Sequence, residues 1–301
     1  MLPLPAVPVD RRFLLTAVLP TLTLSGSLLL LWGYAHGLAD TLAGWGRLDA
    51  GTRWLRCAGF AVAIGLLSLL TSAVQPRLLA LFSGEWPTRV GRALAGWRAG
   101  AHRARLRELA VQAGPGSAVR VGRVRRALRE VYPSPALPDE VLPTRLGNVL
   151  RHAEQYPRRQ YGMDPVVVWP RLQPLVAEPS LVSLAAARTN LVLLITLSSA
   201  GAVFAVASAV VMLGWGGPLR SLAVCLLAGL GVAVLAQRAA VSAAAHYSLH
   251  LKVAFDLYRH SLLQQLGLEP PESLDAEIAL WERLVRFWDA GIHYDLPEEA
   301  P

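Results

Sequence analysis

The densest polar run in the chain begins at Leu142 and reads Leu142-Pro143-Thr144-Arg145-Leu146-Gly147-Asn148-Val149-Leu150-Arg151-His152-Ala153-Glu154-Gln155-Tyr156-Pro157. It continues through Tyr161-Gly162-Met163-Asp164-Pro165 to Trp169-Pro170-Arg171-Leu172. Thr144 has the type of an N-cap and Pro157 that of a stop, so the spacing predicts a helix of about three turns. On it Arg145, Asn148, Arg151 and Glu154 recur every third residue, so successive members are neighbours. With Tyr161, Asp164, Trp169 and Arg171 they make either a cluster for an anionic ligand or a hydrogen-bonded structural hub. The hub is the simpler reading, because nothing among them forms a nucleophile–base pair. Asp164 is placed to cap a short following helix.

Other candidate chemistry is thin. His246 and His250 stand at i, i+4, but no third metal ligand lies within a turn. His260 follows about 21 Å further on by helical rise. Cys57 and Cys225 have neither zinc spacing nor a disulfide framework. Gly114-Pro115-Gly116-Ser117 is a turn without the Gly-Lys-Ser/Thr of a phosphate loop. With no catalytic triad, carboxylate pair or metal set, the expectation is a protein that is not an enzyme and needs no metal and no cofactor.

The elements that must carry these residues are largely apolar. The chain has 301 residues, 53% hydrophobic and 17% charged, where a soluble domain carries about 25% charged residues. A membrane helix needs roughly 20 mainly apolar residues. Four windows qualify: Phe13 to Tyr34, Trp54 to Val74, Asn190 to Leu213 and Leu219 to Ala236. Trp32, Tyr34, Trp45, Trp54 and Trp215 gather at the ends facing one side, as an aromatic belt does. Only Gly214-Trp215-Gly216-Gly217-Pro218 separates the last two windows, which predicts an antiparallel hairpin. The first window is longer than a signal-peptide core and no clean small-x-small site follows it, so it is read as an uncleaved span.

Charge gives the orientation. Eighteen arginines lie between Arg77 and Arg188, and Lys252 is the sole lysine. The 214–218 turn has no arginine and the 35–53 loop only Arg47 and Arg53. The positive-inside rule then puts both termini and the long segment on the cytoplasmic side, and the bias of arginine over lysine suits a high-GC bacterial genome, so the membrane expected is a bacterial cytoplasmic membrane. Guanidinium groups suit anionic lipid headgroups, so the bilayer is the first expected partner. A cytoplasmic protein is the second; nucleic acid is not expected, because aromatic interleaving is absent.

The predicted architecture is an all-α membrane protein made of two transmembrane hairpins and a helical, arginine-rich cytoplasmic domain. Residues 1–76 hold the first transmembrane pair, 77–179 the arginine-rich domain, 180–245 the second hairpin and 246–301 the C-terminal cytoplasmic helices. In the arginine-rich domain, Pro76 to Trp86 reads as a helical exit halted by Pro87. Thr88 caps a helix to about Gln112 with Leu94, Trp97, Ala101, Leu106 and Leu109 on its apolar side, and Val119 to Val131 forms another. A helix entered at Pro179 runs into the third span, and the fourth continues through Gln264 to a stop near Gly267. Glu277, Trp281, Leu284, Val285 and Trp288 make a short amphipathic helix that can pair with the arginine-rich segment.

The first span is not uniformly apolar. Thr16, Pro20, Thr23, Ser27 and Tyr34 fall on one stripe at helical spacing. Pro20 frees a backbone carbonyl that a neighbour must satisfy. The stripe either packs against other helices or lines a water-filled path in a homo-oligomer. No Asp, Glu, Lys or Arg lies deep in any span, which argues against ion-coupled transport but not against passive conduction.

The run from Thr144 to Leu172 resembles uncharacterised multi-pass membrane proteins of actinobacteria and other bacteria. The shared pattern is Arg-Leu-Gly-Asn-x-Leu-Arg-x-Ala-Glu-x-Tyr-Pro, Arg-Tyr-Gly-x-Asp and Trp-Pro-Arg-Leu, with Gln160 standing where that pattern has arginine. Arg238 to Ala245 and Ala254 to Arg259 are similar in the same way. The resemblance implies a four-span topology and carries no activity. Bestrophin-type channels share the layout of helix pairs around a cytoplasmic segment, by architecture alone. The functional expectation is an oligomeric channel with a cytoplasmic assembly or gating domain; the alternative is a non-conducting scaffold that recruits a cytoplasmic partner.

Overall fold

The computed structural model describes residues 9–86, 96, 98–104 and 141–290, and among these there is no strand. Helices α1 (Val9–Phe13) and α2 (Leu19–Ala35) are joined by a π-helical turn, Leu14–Val18. They are followed by α3 (Leu38–Gly46), α4 (Ala50–Ser83), α5 (Arg145–Tyr161), α6 (Pro165–Leu172), α7 (Glu178–Gly214), α8 (Leu219–Gln265) and α9 (Leu274–Ala290). The segments Arg11–Ala35, α4, α7 and α8 are each long and apolar enough to cross a membrane. The four expected spans are therefore present.

Their boundaries differ from expectation in places. The stretch read as a loop from 35 to 53 contains α3. The second span does not break at its membrane edge: α4 runs through Pro76 and ends at Gly84, whose φ of 92° few other residues adopt, rather than at Pro87. Of the helix expected from Thr88, residues 96 and 98–104 are helical. Its remainder, the Gly114–Ser117 turn and the Val119–Val131 helix lie outside the described residues. Helices α7 and α8 begin and end close to where the sequence places them, with Gly267 at φ 72° two residues beyond α8.

The described residues fall into two compact units. Of the described residues, a polar unit takes those within Ser83–Ala187 and from Ala244 onward, and an apolar unit those within Val7–Phe82 and Arg188–Ala243. Helices α7 and α8 contribute residues to both.

Within the apolar unit, small residues set the packing. A Cβ on Gly201 of α7 would lie 2.8 Å from the Gly229 carbonyl oxygen of α8, and a Cβ on Gly229 would lie 2.8 Å from the Gly201 carbonyl oxygen. The two backbones touch at these glycines, and Ser198 Oγ donates across the contact to the Ala233 carbonyl at 2.8 Å. On the other pair, the Thr21 and Thr71 hydroxyls lie 3.2 Å apart. Pro20 has no N–H for the Thr16 carbonyl four residues back. Gln75 of α4 supplies a donor instead, its Nε2 at 2.9 Å from that oxygen.

The polar unit buries Trp169, Trp281, Phe255, Leu146, Met163 and Leu172 completely or nearly so. This core fixes the faces that α5, α6, α8 and α9 turn toward one another.

Candidate functional site

The polar unit is organised by α5. Thr144 caps it, its side chain accepting from Gly147 N at 3.0 Å, and Leu146, Val149, Leu150 and Ala153 face inward. Pro157 does not stop the helix, contrary to the sequence expectation. One backbone bond is forfeited and α5 continues to Gly162, where φ is 72°. There Gly162 N donates to the Arg158 carbonyl (3.0 Å) and Met163 N to the Pro157 carbonyl (3.2 Å), a pair of cap bonds that a left-handed glycine permits. Asp164 then caps α6, accepting from Val166 N at 2.9 Å, and pairs with Arg158.

Gly147 and Asn148 are explained by what they touch. A Cβ at Gly147 would lie 2.0 Å from the Ser83 carbonyl oxygen, so only glycine admits the end of α4 here. Asn148 is fully buried and bonds both backbone groups of Leu142: Leu142 N donates to its Oδ1 at 2.7 Å, and its Nδ2 donates to the Leu142 carbonyl at 2.9 Å. Gly162 is constrained twice over, because a Cβ there would sit 2.9 Å from the Ile278 carbonyl oxygen of α9.

Extending α5 past Pro157 carries Tyr161 to the centre of the unit. Tyr156 and Tyr161 both donate to Asp256 of α8: Tyr156 Oη lies 2.9 Å from Oδ1 and 3.1 Å from Oδ2, and Tyr161 Oη lies 2.8 Å from Oδ1. The rings meet edge to face, 6.2 Å between centroids. Burial, and then the bonds to Asp256, push both phenols above the ordinary tyrosine range. One turn along α8, the Arg259 guanidinium lies 4.4 Å over the Tyr161 ring and donates to the Asp256 carbonyl. Its Nε donates to Glu277 Oε1 of α9 at 2.9 Å. The same oxygen receives Trp281 Nε1–H at 3.3 Å and lies 3.3 Å from His260 Nε2. Glu277 is only 7% exposed.

Chemically this is a clamp. Both carboxylate oxygens of Asp256 and Oε1 of Glu277 accept hydrogen bonds from neighbouring helices, so the arrangement fastens α5, α8 and α9 together. Trp169 packs against Phe255 at 5.8 Å between ring centroids, and Arg171 covers the Trp288 ring at 4.4 Å. Arg145 and Arg151 are exposed and Glu154 is half-buried. The eight residues singled out from the sequence thus divide among a helix cap, a core, two interhelical contacts and a solvent face. Sequence reading missed Tyr156, Asp256 and Arg259 as partners. Asp256 and Arg259 do stand at i, i+3 in a quoted motif, but their partners lie about a hundred residues away. His102, near Pro143, is held below the ordinary histidine range by burial first and then by Arg98 and Arg145.

The first-span stripe also divides. Thr16 and Pro20 are buried in the apolar unit. The Thr16 hydroxyl donates to the Arg12 carbonyl at 2.9 Å, Thr23 to the Pro20 carbonyl at 2.8 Å and Ser27 to the Thr23 carbonyl at 2.7 Å. Tyr34 Oη instead lies 3.0 Å from Ser221 Oγ of α8. Beyond it, His36 packs between Trp32 and Trp215, with ring centroids at 4.3 and 4.0 Å. His246 and His250 are exposed, and among the described residues no group of three or more His, Cys, Asp or Glu could hold a metal ion. Compared with known families, curated proteins and solved structures, the chain finds no match.

Proposed function

We propose that the chain is a non-conducting scaffold of the bacterial cytoplasmic membrane, self-associating, with both termini cytoplasmic, that recruits an acidic cytoplasmic protein through its polar unit. The observation that carries this reading is how the 142–172 run is used. The inward-facing Asn148, Tyr156 and Tyr161 are bonded to backbone or to Asp256 of α8, while Arg145 and Arg151 of α5 stay exposed. A surface of this kind attracts anionic partners. The α2 hydroxyls support the same reading, since each of Thr16, Thr23 and Ser27 is satisfied by its own helix and needs no water column. The apolar windows of α4 and α8, of which only 11% is buried within the chain, leave faces open either to lipid or to a second copy. Orientation rests on arginine placement: eighteen between Arg77 and Arg188, against Arg47, Arg53, Arg56 and Arg220 near the opposite helix ends. The resemblance to bacterial multi-pass proteins agrees with this topology.

The direct test is cross-linking in native membranes with an Arg145→Gln/Arg151→Gln variant. Partner yield should fall several-fold at equal membrane insertion, and an unchanged yield overturns the proposal. A passive pore is the second reading. It is favoured by a cavity of about 290 Å³ in the apolar unit, whose mainly apolar wall carries the Thr21, Thr71, Thr196 and Ser199 hydroxyls and no charged group.

A further inference from the structure

The apolar unit contains a larger recess, of about 630 Å³, between α2 and α8. Its floor is apolar: Leu31 of α2, Phe204 of α7, and Val224 and Ala228 of α8. Its rim is not. At the end of the span Tyr34 Oη and Ser221 Oγ lie 3.0 Å apart, beside Arg220 on the first turn of α8. The groove therefore runs along the helix axes, polar at the helix ends and apolar toward the middle of the bilayer. On α2 it extends from Tyr34 to Ser27, about 10 Å by helical rise.

Three features identify the occupant. Arg220 is exposed, and its guanidinium has no ion-pair partner among the described residues. It stands on the first turn of α8, five residues after Trp215, whose ring joins those of His36 and Trp32 in an aromatic cluster of the kind that marks the headgroup region. A phospholipid brings both parts the groove asks for, an acyl chain for the apolar floor and a phosphate for the basic, hydroxyl-bearing end. We infer that the recess holds one anionic phospholipid, its acyl chain against Leu31, Phe204 and Val224 and its phosphate on Arg220 and the Tyr34–Ser221 hydroxyls. Guanidinium–phosphate pairing supplies the selectivity for an anionic headgroup. The site needs neither the scaffold nor the pore reading.

The test is native mass spectrometry of the full chain in mild detergent, titrated with phosphatidylglycerol, phosphatidylcholine or inorganic phosphate. One phosphatidylglycerol should be retained in preference to phosphatidylcholine. Arg220→Gln should weaken phosphatidylglycerol binding about tenfold and leave phosphatidylcholine unchanged, while Arg220→Lys keeps most of the preference. Ala228→Phe, which fills the groove, should weaken both lipids; Val224→Trp serves as a second filling variant if the first fails to fold. Equal phosphatidylglycerol retention in Arg220→Gln, or in both filling variants, overturns the inference. So does displacement of the lipid by inorganic phosphate, which would mark a free-anion site.

Discussion

Glu277 is held by Arg259 and Trp281 in a place with little access to water. Removing only one member of a buried pair strands the other charge, and that loss exceeds what the pair contributes relative to apolar replacements. Arg259→Ala should therefore lower the stability of the polar unit by about 3 kcal/mol. An Arg259→Met/Glu277→Leu double variant should be less destabilised than Arg259→Ala alone. Thermal unfolding of the three proteins decides this; a double variant at least as unstable as Arg259→Ala would show that the pair is not what matters. The tyrosines give a pH dependence of known sign. Their folded pKa values are raised, so their contribution is complete below the unfolded value of about 10 and is lost as pH rises through the folded value. Stability should fall above about pH 10, and less steeply in Tyr156→Phe/Tyr161→Phe. Equal alkaline slopes in the two proteins would contradict the clamp.

At the scale of elements, close approach decides more than propensity. Gly147→Ala forces a methyl group into the Ser83 carbonyl and should cost about 1–3 kcal/mol, read as a lower unfolding midpoint. Gly26→Ala, with open space around it, should be neutral or mildly stabilising; equal losses at the two sites would remove the packing explanation. These local signals were partly legible in the sequence. Thr144 and Asp164 are recognisable as caps by residue type, the start of α7 by Pro179 in its first turn and the end of α8 by Gly267 just beyond it, because such signals act within a few residues. Pro157 misled, since a proline forfeits only one bond and Gly162 offered a better stop just beyond it. The Tyr156–Tyr161–Asp256 arrangement was out of reach. It joins helices remote in sequence, and no periodicity in either one names its partner.

The whole molecule combines four apolar helices with a polar unit whose binding groups are mostly turned inward. Helix α8, at 47 residues, spans roughly 70 Å by its rise, more than twice the roughly 30 Å of a bilayer's hydrocarbon core. Only part of it can lie in lipid, and its remainder carries Asp256 and Arg259. The sequence shows these lengths because apolar windows and helix stops are local patterns; it does not show which hydroxyls are satisfied, because that depends on packing. Conduction is where the two functional readings separate. The full chain reconstituted in liposomes should pass ions no faster than protein-free vesicles, and Thr23→Leu should change nothing. Protein-dependent flux that Thr23→Leu lowers would contradict the scaffold and establish a pore.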